Sequence, residues 1–417
     1  MSDSREQFRV DKALSLSSLL KHAVIDGEGR TLGKLSDVVT RLRDNDYPLL
    51  SGLVIGLGSA GFFVPMSDVI SIEPKAIRLR TAKVDLRPFK RRNGELLLKE
   101  NILGHRLIDV PRSALVRAYD IRLAHCADGW LVTGLDVHRG RWLHIGRHEA
   151  HPARDWHSFL LLMGDQRASG LRSVASRVTK LKPAQIADII ESASTREESI
   201  LLAQVHEDPE LEADVFEELD DNKQAKLLHA RSDQEVAGLL ARMRADDAAD
   251  AVMDLAHDRR QEVLDLLPAN QKTKVLTLLG YHAATAGGLM GSDFLALSED
   301  NTIGDAIEAV RLATTYQPEA LTTIHSLRSD GTLAGTLSLV RALQLDQTTR
   351  LREAADAHLV IASPEDDVVT VTTRMADFNL LSLPVVDSTR KMLGIVTVDD
   401  ALEAAIPRDW VRRRSSG

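Results

Sequence analysis

Three aspartates near the middle of the chain have the types and spacing to do chemistry. They lie in "RADDAADAVM", Arg244 to Met253, and in Asp254 just beyond it. Asp246, Asp250 and Asp254 recur every four residues, so at about 100° per residue they share one stripe of a helix. Ala248, Ala251, Val252 and Leu255 fall on the other side, where a core would be. Like charges four apart destabilise a helix by a few tenths of a kcal/mol. A divalent cation would remove that cost and could bridge to a second acidic surface. The plainer reading is a solvated face, with Asp246 as N-cap and Asp247 and Asp250 favoured by the helix macrodipole.

The helix that carries this stripe belongs to a series. From about Leu181 to Leu279 short amphipathic segments recur roughly every dozen residues: "LEADVFEEL", "NKQAKLL", "SDQEVAGLLARM", "RRQEVLDLL", "QKTKVLTLL". Ser232 and Glu235 have the spacing of a capping box, and Val236, Leu239, Leu240 and Met243 follow on one face. None of these helices could bury its apolar face alone, which predicts a stacked helical superhelix. From Thr285 the texture is α/β. "TIHSLRSDGTLAGTLSLVRAL" reads as strand, turn, strand, helix, and "DVVTVTTRMADFNLLSLPVVDSTRKMLGIVTVDDALEAA" repeats the scheme with a helix in front. Two copies of such a unit usually pair.

Before the helices the chain is rich in β-branched runs cut by Gly, Asp and Asn. "HAVIDGEGRTLGKLSDVVTRL" gives strand, turn and strand, with Asp26-Gly27-Glu28-Gly29 as the turn. Leu49 to Pro65, "LLSGLVIGLGSAGFFVP", lacks charge but is shorter than the roughly 18–20 apolar residues of a span, and its glycines divide it into two strands. After the basic link "RPFKRRNG" the style repeats, so two small β barrels in tandem are expected. "VIDGEGRTLGKLSDVV", "FFVPMSDVI" and "LVRAYDIRL" resemble PRC-barrel domains over about 140 residues.

Composition excludes several classes. With 417 residues the chain is too long for one compact domain. Aromatics are only 4%, so the cores must be built from Leu, Val, Ile and Ala. A formal net charge of −9 argues against nucleic acid as the main partner, and against RNA or ribosome maturation through the barrels. The single cysteine, Cys126, rules out an intrachain disulfide or cysteine-based zinc site and fits the cytosol. The charged N-terminus is no secretory signal. His138, His144, His148, His151 and His157 follow no helical face and read as loop residues. No G-x-S-x-G elbow and no G-x-x-x-x-G-K-[ST] loop occurs, and no enzyme constellation is expected.

Residues 181 to 405, more than half the chain, resemble the cytosolic part of MgtE-type magnesium channels and transporters: a helical N domain followed by a CBS pair. "TAGGLM", "LPVVDSTRKMLGIVTVDDALE" and "DDAADAV" carry the resemblance, and they occur in the family's order. In that family Mg2+ lodges between acidic residues of the N domain and of the second CBS unit, holding a closed arrangement that shuts the attached pore. By position, the resemblance implies Asp214, Asp246 and Asp250 on the N-domain side, and Asp400 and Glu403 on the CBS side. Asn379 and Val369 stand where the family pattern has acids, which implies fewer or weaker sites. Magnesium keeps several waters, so one or two carboxylates per ion are enough. The resemblance also implies an ATP- or AMP-type nucleotide in the CBS clefts. Thr397 and Asp400 match that motif in the second unit; in the first, Ser338 matches but Arg341 replaces the aspartate. A strand-to-helix cap is the plainer role for these residues, and backbone shape for Gly287 and Gly288.

The expected architecture is therefore multidomain: two all-β barrels, an all-α superhelix and an α/β CBS pair. The boundaries are a flexible N-terminus at 1–16, barrels at 17–88 and 89–157, a linker at 158–180, the N domain at 181–281, CBS units at 282–346 and 347–409, and a basic tail at 410–417. The expected function is that of a soluble, non-enzymatic, magnesium-responsive regulator without its own pore. It would be a cytoplasmic homodimer through its CBS domains, peripheral to the membrane, with a transporter or channel as partner. In the tail, Trp410 and Arg412 to Arg414 are either a solvated end or a docking point for an anionic surface. The rival is a non-catalytic scaffold or assembly factor with vestigial ion sites, which Val369 and Asn379 favour.

Overall fold

The computed structural model describes residues 13–406, apart from 44–45, 58–59, 74–75, 81–86, 88, 93, 127–128, 139–152, 163–177, 179–180 and 315. The basic tail and His144, His148 and His151 lie outside the described residues. The chain divides into two compact units, Met1–Leu219 and Asp220–Gly417.

The first unit is β-rich. Strand β1 (Ala13–Ser15) and helix α1 (Leu16–Leu19) come first, so part of the segment expected to be flexible is ordered. Strands β2 (Ala23–Ile25), β3 (Thr31–Arg41), β4 (Leu49–Leu57) and β5 (Ala60–Pro65) run antiparallel in succession. The β2–β3 turn is the expected one. The Asp26 carboxylate accepts from the Glu28 and Arg30 N–H groups, and Gly29 takes φ +85°. Strands β4 and β5 fall in the apolar run from Leu49 to Pro65 and pair with each other. Strands β6 (Val69–Ile72) and β7 (Ala76–Leu79) follow, with β7 parallel to β2. The second set is β8 (Glu95–Leu97), β9 (Arg106–Asp109), β10 (Ala114–Arg117), β11 (Asp120–Cys126), β12 (Gly129–Asp136), β13 (Arg154–Asp155) and β14 (Phe159–Leu161).

These two sets are joined more closely than two beads on a string. The path β1-β11-β12-β4-β3-β2-β7-β6 is one sheet, and one core holds Val38, Leu53 and Ile77 together with Ile121, Leu135 and Phe159. Strand β1 pairs with β11, more than a hundred residues away. Buried Asp37 on β3 accepts the Lys99 and Glu100 N–H groups at 2.8 and 3.0 Å. Strand β14, placed in the linker by sequence, pairs with β9.

Helices α2 (Pro183–Ser192), α3 (Thr195–Val205) and α4 (Pro209–Glu217) complete this unit. Arg106 on β9 ties them down: its guanidinium donates to Glu197 at 3.0 Å and to the Ser192 carbonyl at 3.1 Å. The compact units thus divide inside the expected helical domain, between Leu219 and Asp220.

The second unit begins with α5 (Asp221–His229), α6 (Asp233–Leu240), α7 (Ala245–Asp254), α8 (His257–Leu266) and α9 (Ala269–Leu278). The Ser232–Glu235 capping box forms as read, and Val236, Leu239, Leu240 and Met243 are all buried. The first α/β unit comprises α10 (Ala286–Leu289), β15 (Ala296–Ser298), α11 (Ile303–Leu312), β16 (Thr323–Leu327), β17 (Leu333–Ser338) and α12 (Leu339–Leu343). The second comprises α13 (Leu351–Ala354), α14 (Val368–Phe378), β18 (Ser382–Val386), β19 (Met392–Thr397) and α15 (Val398–Ala405). The "TAGGLM" segment locks them together. Ala286 and Gly287 donate to the Asp366 and Pro364 carbonyls, and Gly291 pairs with Ile395 on β19. A Cβ on Gly287 would sit 2.6 Å from the Tyr281 ring, and one on Gly288 2.4 Å from the His282 carbonyl. Both glycines serve backbone shape.

Candidate cation site at an acidic seam

Helix α7 presents its acids as its periodicity requires. Ala248, Ala251, Val252 and Leu255 are buried, while Asp250 and Asp254 are exposed and Asp246 is half-buried. The N-cap is Arg244, without a side-chain cap bond, so Asp246 lies inside the first turn. The N-cap role that the plainer sequence reading gave Asp246 is therefore not filled by it.

The seam is formed between the start of α7 and the start of α15. Arg244 lies in it, about three-quarters buried. Its Nε meets the Asp247 carboxylate at 2.6 Å, and its Nη1 meets Asp400 at 3.0 Å. The other Asp400 oxygen accepts the Thr397 hydroxyl. Thr397 is buried at the N-cap of α15 but makes no side-chain cap bond. Its hydroxyl is spent on Asp400 instead.

The electrostatics mark an excess of negative charge. Burial pushes the Asp246 carboxyl up; Arg244 opposes this, and the Asp400 carboxylate adds to it. Asp250 is pushed up to about 6, by loss of solvent first and then by the carboxylates of Asp246, Asp254 and Asp221. Glu403 is raised by desolvation, with Arg244 pulling down and Asp400, Asp221 and Asp399 pushing up. Asp254 is raised by desolvation and by Asp221, against Arg260 and His229. Asp221, in the first turn of α5, thus touches three of these titrations. Sequence reasoning passed over it because nothing in its own helix marks it.

The expected residues distribute as follows. Asp246, Asp250, Asp400 and Glu403 share the seam of the second unit. Asp214 is exposed on α4 of the first unit. Asn379 is the C-cap of α14 in the left-handed conformation, φ 51° and ψ 46°, which asparagine tolerates well. Val369 is 71% exposed on the same helix. Ser338 caps α12, its oxygen accepting the Arg341 N–H at 3.2 Å. Of the histidines, His138 and His157 pair with Asp136 and Asp155.

The donor set suits a hard cation: carboxylate oxygens that outnumber the positive charge beside them. Among the described residues no three His, Cys, Asp or Glu side chains converge closely enough to hold an ion directly. A cation that retains most of its water, as Mg2+ does, matches one or two carboxylates at a time.

Known proteins resemble parts of this chain. The MgtE intracellular N domain family matches residues 181–284, and the CBS domain family matches 351–406. The magnesium transporter MgtE of Thermus thermophilus is 33% identical over 161 residues, 38% of this chain and 36% of that protein. The Bacillus subtilis magnesium transporter MgtE is 22% identical over 262 residues, 62% of this chain and 56% of that protein. The chain therefore spans between about a third and somewhat over half of these curated relatives. The crystal structure of the cytosolic domain of the Mg2+ channel MgtE in complex with ATP is 26% identical, with a TM-score of 0.52 over 56% of this chain and 94% of that one. The soluble part of a magnesium transporter matches in fold at 22% identity, with a TM-score of 0.52 over 60% of this chain and 94% of that one. No described helix is long and apolar enough to cross a membrane. Residues 181–284 thus match the MgtE intracellular N domain and residues 351–406 a CBS domain, within a fold similar to that of the MgtE cytosolic domain.

Proposed function

We propose that the chain is a magnesium-responsive regulatory protein whose sensing element is the seam between α7 and the second CBS unit. The observation that carries this reading is the crowd of carboxylates there, with Asp250 pushed up to about 6 by loss of solvent and then by the carboxylates of Asp246, Asp254 and Asp221. Asp246 and Asp250 on one side, and Asp400 and Glu403 on the other, would hold the hydrated ion. When bound, it neutralises their repulsion, and binding and the closed seam then stabilise one another. Asp214, on α4 of the first unit, is a further proposed ligand.

An adenosine nucleotide is the second proposed ligand, contacted by Thr397 and Asp400, with Ser338 in the other cleft. An MgtE cytosolic domain has been crystallised with ATP. Homodimerisation through the CBS helices is supported by the exposed apolar side chains of Leu312, Val340, Leu343, Val369 and Phe378. The regulated pathway would be that of a membrane transporter or channel partner, with this region working on the cytoplasmic side.

The test is a Mg2+ titration of the unfolding midpoint. The wild type should rise with millimolar Mg2+, and Asp246→Asn/Asp250→Asn should not. A wild-type midpoint indifferent to Mg2+ would favour the other reading, a scaffold with vestigial ion sites. That reading draws support from Arg244 on Asp400.

A further inference from the structure

The group in the seam that calls for its own explanation is Arg244. An arginine just before an acidic helix is ordinarily a solvated residue, yet this one is mostly buried and spans two segments remote in sequence. Its Nε holds Asp247 on its own helix and its Nη1 holds Asp400 on α15. In the amide orientation that satisfies both groups, the Gln317 side-chain oxygen accepts from Nε at 3.2 Å and Nη1 at 3.0 Å. Gln317 lies between α11 and β16, so one guanidinium meets the helical domain and both CBS units. Its charge also acts on Asp246 and Glu403. The groups facing it are thus four carboxylates and an amide, with Asp221 and Asp399 behind Glu403.

We propose that Arg244 is a tethered cation that keeps α7 joined to the second CBS unit when no divalent metal is present. A planar guanidinium offers five N–H donors in a fixed fork, suited to several acceptors at once. Being part of the chain, it loses no translational freedom on binding, whereas a free ion must be recruited from solution. It takes one oxygen of Asp400, a carboxylate the metal reading assigns to the ion. In this chain the ion strengthens a joint that the arginine already makes. This deepens the seam reading above and rests on it for the role of the metal.

The test is amide hydrogen exchange of the full chain, read at 245–254 and 398–405, in EDTA and in millimolar Mg2+. Wild type should be protected at both helices in EDTA. Arg244→Gln should exchange about tenfold faster there in EDTA, as expected for the loss of hydrogen bonds between charged groups, and Mg2+ should restore protection. Arg244→Lys should fall between, because an ammonium cannot span both carboxylates in one plane. Strands β16 and β18 serve as the folding control. Should Arg244→Gln disturb them, Asp400→Asn, which removes only the partner's charge, should give the same loss confined to α7 and α15. Unchanged exchange in Arg244→Gln in EDTA overturns the tethered cation. So does a wild type already open in EDTA. Loss of protection that Mg2+ fails to restore upholds the tether and sinks the metal reading instead.

Discussion

Replacing Asp250 by asparagine should stabilise the protein in EDTA and weaken it in magnesium. Asp250 has a like charge four residues before it, Asp246, and another four residues after, Asp254, and Asp221 of α5 adds a third. Each i,i+4 repulsion is worth about 0.2–0.5 kcal/mol. With the third neighbour acting across solvent, the total relief is about 1 kcal/mol at neutral pH. The sign with pH follows from linkage. The native carboxyl, at about 6, binds its proton more tightly than the unfolded chain does, near 3.9. Unfolding therefore becomes easier as pH rises through the window from about 4 to 6. The advantage of Asp250→Asn should be complete at pH 7.5 and absent at pH 4. With Mg2+ at ten times its dissociation constant, the wild type gains about 1.4 kcal/mol that the variant forgoes. The order of stability then reverses. Urea unfolding followed by circular dichroism, at both pH values with EDTA or Mg2+, reads all four cases. An Asp250→Asn protein less stable than wild type in EDTA at pH 7.5 would refute the claim that the stripe is a site of repulsion.

Other consequences are local. His325 on β16 is buried, with its Nδ1 hydrogen donated to the Leu295 carbonyl, and burial depresses it to about 4. The neutral ring favours the fold above pH 6.5, and this contribution, roughly 3 kcal/mol, is lost as pH falls towards 4. His325→Gln should flatten that part of the stability profile measured by denaturant unfolding. Gly288→Ala should cost about 1–3 kcal/mol through overpacking against the His282 carbonyl, seen as a lowered thermal midpoint. In the first unit Arg154 pairs with the fully buried Asp109 and lies over the Phe159 ring. Arg154→Ala strands that carboxylate and should destabilise by about 3–5 kcal/mol, whereas Arg154→Ala/Asp109→Leu should recover much of the loss in the same unfolding assay.

The chain's local grammar was legible because it is written in nearest neighbours. The capping box at Ser232, the buried face of α7, the turn at Gly29 and the duplicated α/β units all rest on contacts within a few residues. Long-range pairing was not legible. The sequence "ALS" at Ala13 carries no mark that it will lie against β11, and so the joining of the two β sets into one sheet escaped notice. The division at Leu219 follows from Arg106 reaching Glu197, a contact across ninety-one positions. Asn379 was legible in principle: an asparagine after the last apolar residue of a helix is a recognised stop, and its capping role accounts for the missing acid without appeal to lost function. Asp221 could be found only by knowing which helix lies beside α7.

Asp400 stands between the cleft and the seam, bonded to Thr397 on one side and to Arg244 on the other. A carboxylate has about four acceptor positions, and here one oxygen is taken by Thr397 and the other by Arg244. An ion in the seam and a ribose in the CBS cleft would both have to share what is left, or displace a partner. Displacing Thr397 frees a hydroxyl at the cleft; displacing Arg244 takes the Asp400 carboxylate from Nη1 of a mostly buried guanidinium. The second exchange is the costlier, because it breaks a charged pair where the first breaks a neutral donor's bond. For a bound ion, the least costly arrangement would leave Arg244 on Asp400 and put the hydrated ion against Asp246 and Asp250, the side of the seam where the charge is still in excess.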